Sequence, residues 1–70
     1  MDFVEKTINE YLDAITTVHG ESYRERMVVA DRGAGNIMVK YPEQEEGMAV
    51  SLGTLELMTK NLLNRIEESA

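Results

Sequence analysis

The side chains with which this sequence could do covalent chemistry are few. His19 is its only histidine, cysteine is absent, and the serines are Ser22, Ser51 and Ser69, none set in a nucleophile-elbow pattern. A cysteine nucleophile, a thiolate metal site and a disulfide framework are therefore excluded, and an imidazole-based metal site lacks the histidines it would need. Carboxylates are plentiful, thirteen in all, but number alone does not make a catalytic pair. Glu43, Glu45 and Glu46 fall in a polar stretch with no neighbouring apolar sequence to tune an acid–base group, so they read as a solvated acidic turn. The segment 31–36 has oxygen-bearing side chains and glycines, yet lacks the acid spacing and terminal glutamate of a calcium-binding loop. Gly33-Ala34-Gly35 invites comparison with a phosphate-binding loop, but those loops open a helix, where amides and dipole converge, and this one joins two strands. His19 closes a predicted helix, where its ring suits the helix dipole. No catalytic residue, cofactor or metal is expected.

The elements that would position these groups are legible from periodicity. Asp2 followed by Glu5 fits a capping box, and Val4, Ile8, Tyr11, Ile15 and Val18, widened by Leu12, recur at helical spacing. Gly20 follows as a left-handed C-cap, so the pattern predicts a helix over 3–19. The period then changes. Residues 23–31 and 37–41 are rich in β-branched, aromatic and long side chains without helical spacing, which predicts two antiparallel strands. A three-residue loop, 33–35, with Gly35 left-handed at a bulge, opposes Val29 to Val39 and Met27 to Tyr41 and keeps odd and even faces apart. Pro42 ends the second strand. Residues 48–51 read either as a short third strand or as the approach to a last helix carrying Leu52, Leu55, Met58, Leu62 and Ile66, with Leu63 at its margin. Ser51 and Thr54 are both acceptable N-caps. Thr54 is preferred, because it keeps the helix-weakening Gly53 outside. The expected architecture over 1–70 is one small α+β domain: helix, hairpin or three-stranded meander, helix, with both helices on one sheet face.

In that register Tyr23, Met27, Val29, Ile37, Val39 and Tyr41 form the floor for the helices, with Glu25 near one end. The opposite face carries Val28, Ala30 and Met38 as an apolar centre, rimmed by Arg24, Arg26, Arg32 and Lys40. An apolar centre with a polar rim is the anatomy of an interface. Charge is distributed to match: residues 22–42 hold four basic and two acidic side chains, a local +2, and the remainder holds three against eleven, a local −8, which together make the net −6.

Seventy residues with 43% hydrophobic content are too apolar for simple disorder and too few for more than one domain. A chain of this size buries only about 60% of its unfolded surface, and without disulfide or metal the remaining support is a second copy. At least a homodimer is therefore expected. The longest apolar run, residues 27–30, is far short of a membrane span. No basic stretch followed by an apolar one opens the sequence, so a cytoplasmic setting is the default expectation. The net charge disfavours direct binding of double-stranded nucleic acid.

The leading expectation is a non-enzymatic, homo-oligomeric module that binds another macromolecule, of the size of a phage or mobile-element regulator or inhibitor. The alternative is a sequestering protein that holds a nucleotide or other phosphorylated small molecule in a dimer cleft lined by Arg24, Arg26, Arg32 or Lys40. A further alternative is an acidic mimic of DNA that occupies a basic groove.

Overall fold

A computed structural model describes residues 2–69, with side chains through Arg65. The apolar stripe at helical spacing forms α1 (Phe3–His19), capped by Asp2, whose Oδ1 accepts from the Glu5 amide at 2.8 Å. Burial follows the stripe: Tyr11 and Ile15 are fully enclosed and Val4, Ile8, Leu12 and Val18 are half-buried. Gly20 ends the helix, its amide donating to the Thr16 carbonyl at 2.8 Å. Its φ of +92° is paired with a ψ of 164°, so the chain leaves in an extended glycine conformation and not in the left-handed helical one expected of the cap.

That exit corrects the strand expected over 23–31. The chain restarts at once as α2 (Glu21–Arg26), with the Arg24 amide donating to the Gly20 carbonyl at 3.2 Å, and β1 (Val28–Gly33) begins only after Met27. Alternation in Tyr23-Arg24-Glu25-Arg26 imitates a strand. The four-residue spacing wins because it brings Tyr23 onto His19, with ring centroids 4.7 Å apart, and Arg26 Nε to the Ser22 carbonyl at 3.3 Å. Tyr23 therefore approaches the core from a helix, Glu25 is exposed on α2, and the expected Met27–Tyr41 pair does not form; the ladder ends at Val28 and Lys40.

β1 pairs antiparallel with β2 (Asn36–Lys40), and β2 with β3 (Met48–Ser51), so residues 48–51 are a third strand and the sheet is a meander of order β1-β2-β3. The predicted pairing of Val29 with Val39 holds. The turn differs in detail: Gly33 pairs with Asn36, leaving the two-residue loop Ala34-Gly35, and the irregularity falls between Asp31 and Gly33 instead of at Gly35. Both loop residues have positive φ, +53° and +77°, as a type I′ turn requires. Asp31 Oδ1 accepts from the Gly33 amide at 2.8 Å and stabilises the bulge.

The last helix, α3 (Leu52–Ser69), starts one turn before the preferred cap. Ser51 Oγ accepts from the Thr54 amide at 3.2 Å and Gly53 lies inside the first turn. The Leu52 amide is meanwhile taken by the Gly35 carbonyl at 3.1 Å, so the hairpin turn holds the helix start and outweighs the glycine penalty. Leu55 is fully buried, Leu52, Met58 and Leu62 are half-buried, and Leu63 is exposed; the side chain of Ile66 lies outside the described residues. The core is Tyr11 and Ile15 of α1, Leu55 of α3, Ile37 and Val39 of the central strand, and Met27 at the α2–β1 junction. Buried Thr7 and Thr59 satisfy their hydroxyls on the carbonyls four residues back.

Ala34 is the one non-glycine residue at positive φ among the described residues, a conformation that costs an L-residue about 1 kcal/mol. Ala34→Asn makes the turn Asn-Gly, the preferred type I′ pair, and should stabilise the protein by about 0.5–1 kcal/mol. In a thermal melt that is a rise of a few degrees; an unchanged or lower midpoint would contradict this turn geometry.

Candidate functional site

Two surfaces carry functional potential: an outer sheet face that the sequence pointed to, and a cleft that it did not. On the sheet, residues alternate. Val29, Ile37 and Val39 turn inward, and Val28, Ala30, Met38 and Lys40 share the outer face, paired Val28–Lys40 and Ala30–Met38. β3 adds Ala49 beside Met38. Met38 lies against Gly47, where a Cβ would collide with its thioether. Val28 is 42% exposed, Ala30 and Met38 are half-buried, and Ala49 is exposed.

The apolar centre is thus assembled as expected, but its basic rim is thinner. Lys40 is on the face and Arg32 stands exposed in the bulge. Arg24 and Arg26 belong to α2. Arg24 lines a groove with Leu12, Met27 and Val29, where Glu21 and Glu25 oppose its charge. Arg26 lies over the Tyr23 ring, 5.9 Å from its centroid, in cation–π range. A cleft shared by all four cations would need a second chain to complete it.

The cleft missed by the sequence reading lies at one end of the core, between the last turns of α1, α2, the turn after β2, and α3. Helical spacing places Tyr11, Ile15 and His19 on one face of α1, and Met58, Asn61, Leu62 and Arg65 on one face of α3. Tyr23 enters from α2, its ring tilted by 32° against that of His19. Tyr41 and Glu43 come from the Pro42 turn. That turn is closed by two bonds: the Gln44 amide donates to the Tyr41 carbonyl at 3.0 Å, and the Tyr41 amide donates to Gln44 Oε1 at 3.2 Å. The cleft is open to solvent and its volume is about 330 Å³.

All three tyrosines of the chain meet here. Tyr11 and Tyr41 share a hydroxyl–hydroxyl bond of 2.9 Å, and the Tyr23 hydroxyl donates to both Glu43 oxygens at 2.9 and 3.0 Å. Glu43, Glu45 and Glu46 are all exposed as expected, and Glu43 in addition accepts the Tyr23 proton. Burial, then the bond to Tyr41, pushes the Tyr11 phenol far above its ordinary value; desolvation and the Glu43 carboxylate raise Tyr23. The sequence signals that could have found the site are the four-residue spacing of His19 and Tyr23 across Gly20, and the Tyr-Pro-Glu order at 41–43. His19 closes α1 as expected and contacts an aromatic ring there. Ser51 caps α3. Among the described residues no cluster of three or more His, Cys, Asp or Glu is arranged to hold a metal, and no helix is long and apolar enough to cross a membrane.

Comparison with family models, with curated proteins and with solved structures finds no significant match to this chain. The reading of its function therefore stands on the residues and their geometry.

The raised phenol of Tyr11 has a direction in pH. The unfolded phenol ionises near pH ~10 and the folded one does not, so the stabilisation is complete below ~10 and is lost as pH rises above it. Urea midpoints measured from neutral into alkaline pH should fall above ~10, and less steeply in Tyr11→Phe, which at neutral pH should lose about 1 kcal/mol with its hydroxyl bond. Identical alkaline slopes for the two proteins would refute the buried phenol as the titrating group.

Proposed function

We propose that this protein is a non-enzymatic, homo-oligomeric binding module in which the outer sheet face joins two copies and the acidic helices face outward toward a macromolecular partner. The observation that carries this reading is the uncovered apolar centre of Val28, Ala30, Met38 and Ala49 on a sheet whose other face takes both long helices. Among the described residues five large side chains are enclosed to within 2%. A core of that size supplies only about 3–5 kcal/mol, so burying the second face is the available source of further stability. Joining two copies there turns Lys40 toward the seam, while Arg24 and Arg26 stay on α2. The exposed acids of the long helices, Glu5, Glu10, Asp13 and Glu56 among them, are left outside that seam, where they would steer association with a basic surface of a partner protein. The separation of Arg24, Arg26, Arg32 and Lys40 within one chain, and the acids beside Arg24, favour this reading over nucleotide sequestration.

Light scattering at micromolar concentration should give twice the 7.9 kDa chain mass for the wild type. Met38→Glu, which places a charge at the centre of the face, should give the chain mass with an unchanged far-UV spectrum. A monomeric wild type, or a Met38→Glu dimer, would overturn the proposal.

A further inference from the structure

The cleft at the end of the core does nothing in that proposal, and its size and lining suit a small molecule. At about 330 Å³ it lies at the lower end of the range in which ligand pockets occur, roughly 300–1,000 Å³, with an apolar wall of Ile15, Met58 and Leu62 and a few convergent polar groups. Its hydrogen-bond pattern can be read out atom by atom. Tyr11 is fully buried and its hydroxyl bonds to Tyr41. Donation from Tyr11 to Tyr41 is the arrangement that leaves no buried proton without an acceptor, so the Tyr41 proton is turned to the cleft as a donor. Glu43 receives one proton, from Tyr23, and its carboxylate keeps acceptor capacity beyond it. Asn61 adds an exposed amide with both donor and acceptor atoms on the facing helix.

Charge selects the ligand class. The carboxylate of Glu43 and the guanidinium of Arg65 line the same cleft with opposite sign, so the cleft as a whole favours neither cations nor anions. What matches is a neutral ring with an apolar face and adjacent hydroxyls, each able to donate to the carboxylate and accept from a phenol or amide.

We propose that this cleft binds an uncharged ring bearing a vicinal diol, the group common to a free sugar and to the ribose of a nucleoside, with Tyr41, Glu43 and Asn61 as its hydrogen-bonding residues. The site is formed within one chain and does not depend on the oligomeric state.

The test is an amide-shift titration of the isotopically labelled full chain with four probes: a methyl glucoside, a ribonucleoside, the matching 2′-deoxynucleoside, and choline. Saturable shifts in the millimolar range, centred on residues 19, 41–44 and 61, are expected with the glucoside, the ribonucleoside or both, and this comparison identifies the source of the diol. Glu43→Gln, which keeps an acceptor for Tyr23, and Asn61→Ala, on an exposed helix position, should each weaken that binding by about tenfold, the loss expected for a hydrogen bond to a charged or bidentate group. No saturable shift with either diol would overturn the proposal. So would a deoxynucleoside or choline that binds as tightly, or affinity unchanged in both folded variants.

Discussion

The burial of Ile37 and Val39 beneath Tyr11, Ile15 and Leu55 is the contact on which the rest of the molecule depends. The two strand residues belong to the central strand and are fully enclosed, and each has its cross-strand partners on both sides, Val29 with Val39 and Ile37 with Val50 among them. Covering them takes both long helices. Among the described residues no further long element covers the other face of the sheet, so the outer residues of the same three strands stay exposed or half-buried. Among the described residues one sheet, two long helices and the six-residue α2 make a two-layer fold with one open apolar face.

The same shortage of material explains why polar contacts gather where the layers end. Tyr11 extends from the core to the edge of the sheet, and its hydroxyl must find a partner there; Tyr41, just beyond β2, supplies it. Tyr23 reaches the same edge from α2 and joins the Pro42 turn through Glu43. These two bonds link the first helix, the short helix and the second inter-strand turn, segments distant in sequence. The cleft is the space left where four elements meet without filling the corner, and its walls are the ends of side chains already anchored by packing. Among the polar groups around it, the three tyrosines and Glu43 are held by bonds to one another.

Much of the architecture was legible in advance. The α1 boundaries, the Asp2 cap, the Val29–Val39 register, and the inward set of Val29, Ile37 and Val39 all follow from periodicity and turn chemistry, which act over a few residues. The readings that differed share a cause. Tyr23 to Arg26 alternate like a strand but fold as a helix because of His19, Ser22 and a distant Glu43. Thr54 looked the better cap for α3, yet the Gly35 carbonyl on the hairpin turn fixes the helix one turn earlier. For α3 that contact exists only once the chain has folded; for α2 the two contacts within one turn are joined by the distant one to Glu43, and in each case the preference that lost is worth less than about 1 kcal/mol.

For the functional surfaces the division is the same. The sequence alone determined the apolar centre of the outer face, because side chains on a strand alternate with a period of two and Val28, Ala30 and Met38 cannot turn inward while Val29, Ile37 and Val39 do. It also determined the absence of cysteine and the single histidine, which are matters of composition. Tertiary structure decided where the cations went, since α2 carries Arg24 and Arg26 away from the sheet. It alone created the cleft. Three tyrosines separated by twelve and eighteen positions carry no spacing signal, and their meeting depends on where Gly20 redirects the chain and where Pro42 ends the strand.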